Sequence, residues 1–212
     1  SPDYTPDKTG DDTHADITEL LERLRRRPEV EAVSLSQNSY PYNGSNSTDL
    51  VRYDTLQSPG WTIRRMVTPD FVRVFRYQGT RGETPEQLAE MLERGEFLAS
   101  DNLYRKYDRK LTEFVGKRFQ LFGDTTKTYQ LGAALQNVRY HDYDQARSSY
   151  CFLAKQSFYY ADLELCVRVR EGQDNNFITK LKEDSESQFR VGNLFISEIR
   201  SFHEIRRNFQ QA

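Results

Sequence analysis

Tyr159, Ala161, Leu163, Leu165, Val167 and Val169 alternate with Asp162, Glu164, Cys166 and Arg168. Strand side chains point alternately to opposite faces, so a period of two over this length demands a sheet with one face on a core and the other in water. Three further runs read as strands: 71–77 (Phe-Val-Arg-Val-Phe-Arg-Tyr), 149–154 (Ser-Tyr-Cys-Phe-Leu-Ala) and 191–200 (Val-Gly-Asn-Leu-Phe-Ile-Ser-Glu-Ile-Arg). Between the first and the second lie segments of helical spacing. Thr84-Pro85-Glu86-Gln87 supplies an N-cap, a proline at the first helical position and a capping-box glutamine, Leu88, Met91 and Leu92 form the apolar stripe, and Gly95 is a stop. Asp101 is read as the cap of a longer helix through Leu103, Tyr107, Leu111, Phe114, Val115 and Phe119. A strand, then helices, then several strands implies an α+β fold with helices packed on mostly antiparallel sheets.

The N-terminal part has a different character. Ile17, Leu20, Leu21 and Leu24 recur at helical spacing, with Asp16 and Glu19 in capping-box register, Arg25-Arg26-Arg27 at the negative end and Pro28 as terminator. This predicts a helix over 16–27. Residues 34–59 turn to Ser, Asn, Tyr, Gly and Pro and read as a long surface loop. The chain therefore divides into an N-terminal extension, 1–60, and a globular domain, 61–212.

Composition removes several classes of function. The 212 residues carry a formal net charge of -2, where a dedicated nucleic-acid binder would show a basic excess. No apolar run is long enough to span a membrane. Cys151 and Cys166 form no CxxC pair, and His14, His141 and His203 are scattered, so no metal site is expected. Tyr and Phe, 13 of each against one Trp, build much of the core. Tyr104, Tyr107 and Phe114 fit that core at helical spacing.

Two charges are misplaced for the strands they occupy. On the period of two, Arg76 shares a face with Val72 and Val74, and Glu198 shares one with Leu194 and Ile196. A guanidinium stays charged and is costly to bury alone. The two residues therefore form either a structural ion pair or opposite ends of one functional cleft. In a cleft, a fixed cation suits phosphate, and a carboxylate favours an oxocarbenium-like transition state.

These residues, in this order, resemble the bacterial mono-ADP-ribosyltransferase toxins and type III effectors, in particular the enterotoxin-like and plant-pathogen branches. The aromatic-Arg step is Phe75-Arg76. The following loop and helix run from Thr80-Arg81-Gly82 to Gly95-Glu96-Phe97, and the ending is Glu198-Ile199 with Ile205. The resemblance implies an ADP-ribosyltransferase-like fold around a central cleft, with NAD as substrate. Arg76 and Glu198 would be catalytic, and Arg76 and Ser149 would contact NAD, with Ser149 standing nearest to the family's Ser-Thr-Ser strand. It further implies transfer of ADP-ribose to a host target protein by a secreted, monomeric chain delivered into a host cell, without nucleic acid or membrane as partner. Ile196 stands where many such enzymes carry a second Glu or Gln, and the Ser-Thr-Ser match is poor. These departures motivate the alternative: a catalytically degenerate domain acting as a protein- or ligand-binding module.

Overall fold

The computed structural model describes residues 10–36, 47–58, 62–121, 126–136, 149–154 and 164–184. Helix α1 (Gly10–Arg25) leads into β1 (Val30–Ser36). The short strands β2 (Ser47–Asp49), β3 (Arg52–Tyr53) and β4 (Leu56–Gln57) follow, then β5 (Thr62–Val67). Helices α2 (Phe71–Val74) and α3 (Pro85–Glu93) precede β6 (Phe97–Ser100), and two 3₁₀ turns, Arg105–Tyr107 and Leu111–Phe114, lead to β7 (Arg118–Gln120). Strands β8 (Thr128–Leu135), β9 (Tyr150–Ala154) and β10 (Glu164–Val169) come next, and α4 (Asp174–Asp184) is the last described element.

The described strands form one mixed sheet in the order β10-β1-β5-β9-β6-β8-β7-β3-β4, with β2 on β5. Its parallel pairs are β5 with β9 and β6 with β8, and the others are antiparallel. The class is thus α+β, as expected.

The central strands are covered on both faces, which is why they read as continuous apolar runs. Phe97, Ala99, Cys151 and Leu153 face a cluster closed by Leu103, Tyr104, Leu111, Phe114 and Phe119. Leu98, Tyr150 and Phe152 alternate with them and face Phe71, Val72, Leu88, Ala89 and Leu92 on α2 and α3. A bulge in the β6–β8 ladder, between Phe97 and Leu98, lets β8 hold Leu131 in the first cluster and Ala133 in the second. Gly132 sits at this irregularity, where a Cβ would lie 3.0 Å from Met91 Sδ, so its lack of a side chain admits α3 against the sheet.

A third cluster is set apart from these two. Leu20 and Leu24 of α1, Val30 and Val33 of β1, and Phe177 and Leu181 of α4 pack together. Among the described residues, the β1–β10 ladder that carries this cluster pairs with β5 at Ser36–Val67.

Four local expectations are corrected. Residues 71–77 are not a strand. Phe71, Val72, Val74 and Phe75 also satisfy helical spacing, the chain turns at Pro69-Asp70, and α2 forms. The segment 101–119 is not one helix: Asp108 at φ 55° and Gly116 at φ 85° break it into two 3₁₀ turns, although Leu103, Leu111, Phe114 and Phe119 are buried as the spacing implied, with Tyr107 and Val115 half-buried. The stretch 34–59 is not wholly loop, since it holds the end of β1 as well as β2, β3 and β4. Asp16 lies inside α1, which begins at Gly10, and does not cap it. By contrast, α3 has the predicted capping box in full. Gln87 N donates to Thr84 Oγ1 at 3.2 Å, and Thr84 N donates to Gln87 Oε1 at 2.9 Å.

Candidate functional site

Where α1 ends, β1 begins and α2 lies across them, the surface holds a groove of about 270 Å³ lined by Arg25, Val30, Glu31, Val33, Asp70 and Arg73. Three local features bring these residues together. Arg25 is the last residue of α1, where a cation suits the helix's negative end. Asp70 and Arg73 sit at the start and in the turn of α2. Glu31 is the extra residue of a β-bulge, since Val30 pairs with Val169 and Ala32 with Arg168. Such a bulge re-aims a side chain, and here it leaves Glu31 exposed between two half-buried or buried neighbours.

Two carboxylates organise four guanidiniums. Asp70 accepts from Arg25 Nη2 at 2.9 Å on one oxygen and from Arg73 Nη1 at 2.5 Å on the other. Glu31 accepts from Arg76 Nη2 at 2.9 and 3.1 Å, and Arg168 Nε lies 3.3 Å from its Oε2. Arg168 also donates from Nη1 to the Val74 carbonyl at 2.9 Å, closing the end of α2. Arg25 donates a further bond to Glu22 at 2.8 Å. The side chains of Asp70, Glu31, Arg25 and Arg76 are 25, 36, 39 and 57% exposed. At such exposure an ion pair stabilises by only about 0–1 kcal/mol. The cluster therefore fixes side-chain directions more than it holds the fold together.

The residues singled out from the sequence fall in different places. Arg76 follows α2 in the left-handed region, φ 50°, and pairs with Glu31 rather than facing an apolar strand neighbour. Glu198 lies outside the described residues, as do His141, His203, Asp162 and the run 191–200. Ser149 is buried at the entry to β9, its hydroxyl 2.8 Å from that of Thr62 and its carbonyl accepting from Ile63 N at 2.9 Å. The bonds of Ser149 are those of a sheet-entry residue, and it shares no described partner with Arg76. Tyr104 is core: it is fully buried, burial pushes its phenol pKa upward, and its hydroxyl donates to the Val51 carbonyl at 3.1 Å. Cys151 is buried and Cys166 is half-buried. The predictions missed Glu31, Asp70 and Arg73. Asp70 was legible in Thr68-Pro69-Asp70, a turn signal followed by apolar residues at helical spacing.

Comparison with known proteins adds little to this geometry. No family model matches the chain, and no curated protein matches it. Among solved structures, the crystal structure of the extracellular domain of the noncanonic ABC-type transporter YknZ from Gram-positive bacteria is similar with a TM-score of 0.47. The identity is 12%, over 79% of this chain and 76% of that chain. The strand that should have carried Phe75-Arg76 is a helix and a left-handed turn. The reading as an ADP-ribosyltransferase toxin or effector is thereby overturned, and with it the assignment as a transferase acting on a host protein.

Proposed function

We propose that this domain is a non-catalytic module that binds another protein, with the groove between α1, β1 and α2 as its working surface. One observation carries the reading. Both oxygens of Asp70 and both of Glu31 already accept from guanidiniums drawn from separate elements, so these carboxylates serve as fixed acceptors and not as proton carriers. The groove, at about 270 Å³, is smaller than an ordinary enclosed ligand site of roughly 300–1,000 Å³ and is lined by exposed charges as well as by apolar groups. A rim of directed donors and acceptors suits the polar edge of a protein interface. An extracellular setting is part of the proposal. It coincides with the setting of the transporter domain named above, and delivery into a host cell is not part of it.

The test places a photo-crosslinking residue at Glu22, which accepts a bond from the groove residue Arg25, and in a second chain at Lys127, away from the groove, each expressed in cells of the source organism. One discrete protein adduct at position 22 and none at 127 is expected. Equal adducts at both positions, or none at either, would overturn the reading. Calorimetric titration with NAD is expected to return only heat of dilution, and a saturating heat would overturn the non-catalytic part.

A further inference from the structure

We propose that the groove, together with the Arg76 guanidinium held beside it by the lining residue Glu31, takes an acidic peptide segment of the partner, its carboxylates seating on donors of Arg76 and Arg73 that the internal ion pairs leave unspent. The inference rests on the binding-module reading and names the chemistry of the partner. Arg76 uses Nη2 for both oxygens of Glu31, and among the described residues its Nε and Nη1 take no part in that pair. Arg73 uses Nη1 for Asp70, and its Nε and Nη2 take no part in that pair. A guanidinium carries donors on all three nitrogens in a rigid fork that matches a carboxylate. An incoming carboxylate can therefore bind without displacing Glu31 or Asp70.

Those two acids hold the arginines in place beforehand, which lowers the ordering cost of association. Arg76 is also more than half exposed, at 57%, and its left-handed backbone is a conformation that a non-glycine residue adopts only where its surroundings impose it. The local charge is favourable, with four guanidiniums (Arg25, Arg73, Arg76, Arg168) against the carboxylates of Glu22, Glu31 and Asp70. Val30 and Val33 border the same groove but are buried in the third cluster, so the groove presents its charges rather than apolar surface to a partner. Nucleic acid fits less well, because the chain's net charge of -2 opposes a long polyanion.

The experiment measures fluorescence anisotropy of a fluorescein-labelled peptide of alternating Glu and Ser, and of its Gln-for-Glu counterpart, against the whole chain. The acidic peptide is expected to bind at least ~10-fold more tightly, the equivalent of one well-made charged contact. Arg76→Gln and Arg73→Gln should each weaken it at least ~5-fold, while Arg76→Lys, which keeps the charge but loses the fork, falls between. Arg118→Gln, remote on β7, should leave binding unchanged. Equal binding of the two peptides, binding indifferent to Arg76→Gln, or no binding up to ~1 mM would overturn the inference. Circular dichroism of each variant separates lost binding from lost folding. If the crosslink at position 22 persists in the Arg73→Gln/Arg76→Gln double variant, the acidic-segment inference fails while the binding-module reading stands.

Discussion

Arg76 and Glu31 meet across 45 residues of sequence, the arginine donating at 2.9 and 3.1 Å to the two oxygens of one carboxylate. Each partner stands at a backbone irregularity, a β-bulge at Glu31 and a left-handed residue at Arg76. The contact ties the end of α2 to the start of β1, the strand whose other end pairs with the central sheet at Ser36–Val67.

Arg76 should tolerate glycine better than a branched side chain. At φ 50° glycine is unstrained, and the exposed pair it removes stabilises by only about 0–1 kcal/mol, so Arg76→Gly should change stability by under ~1 kcal/mol. Arg76→Val keeps the strain, worsens it by branching and loses the pair, and should destabilise by about 1–3 kcal/mol. Urea midpoints at constant m-value measure both.

The α3 capping box should be separable from the rest of the fold. Thr84→Ala removes the acceptor for Gln87 N and should lower stability by about 1 kcal/mol. Gln87→Ala removes the reciprocal bond to Thr84 N. The double variant should lose less than the sum of the singles, because the two bonds brace one another. A strictly additive double variant would contradict that coupling.

Phe152 is fully buried, with its ring centroid 5.6 Å from Phe71 and 5.2 Å from Tyr77. Phe152→Ala should destabilise by about 3–5 kcal/mol, enough to unfold a marginal domain at moderate temperature. Phe152→Leu, which fills most of the space, should retain the thermal transition at a lower midpoint. Differential scanning calorimetry distinguishes the two.

Glu29 gives the domain an acid-sensitive tie. Its carboxyl is held below its ordinary value of 4.5, first by its own backbone N–H and then by the Lys180 ammonium on α4 at 3.2 Å. A carboxylate depressed in the folded state stabilises above its unfolded pKa, and that contribution is lost as pH falls through the folded pKa. Stability should therefore decline below about pH 4.5, and Glu29→Gln should shallow that decline while lowering stability at neutral pH. Thermal midpoints measured from pH 7 to pH 3 test it. A Gln variant with an unchanged acid limb would exclude Glu29 as the cause.

The same local logic explains what could be read beforehand. Helix α3 was legible because its start signals are consecutive in the chain and act within one turn. Strand β10 was legible because a period of two over 159–169 has no helical counterpart, and β9 because its short apolar run, Tyr150 to Ala154, fits a strand buried on both faces. The run 71–77 was not, because a short apolar stretch satisfies both periods and only its packing on α3 and the sheet chooses between them. The 103–119 aromatics were placed correctly inside and wrongly on a helix, since burial follows hydrophobicity while the backbone follows Asp108 and Gly116.

By itself the sequence determined the α+β class, the capped α3, the burial of Tyr104, Phe114 and Phe119, and the absence of a basic excess. All of these rest on neighbours within a few residues or on bulk composition. Which charge meets which was decided only by tertiary structure. Arg76 has Glu31 as its partner because a bulge in β1 and a left-handed turn after α2 bring together residues 45 positions apart. Coulombic pairing depends on distance in space, and no periodicity in the chain encodes it.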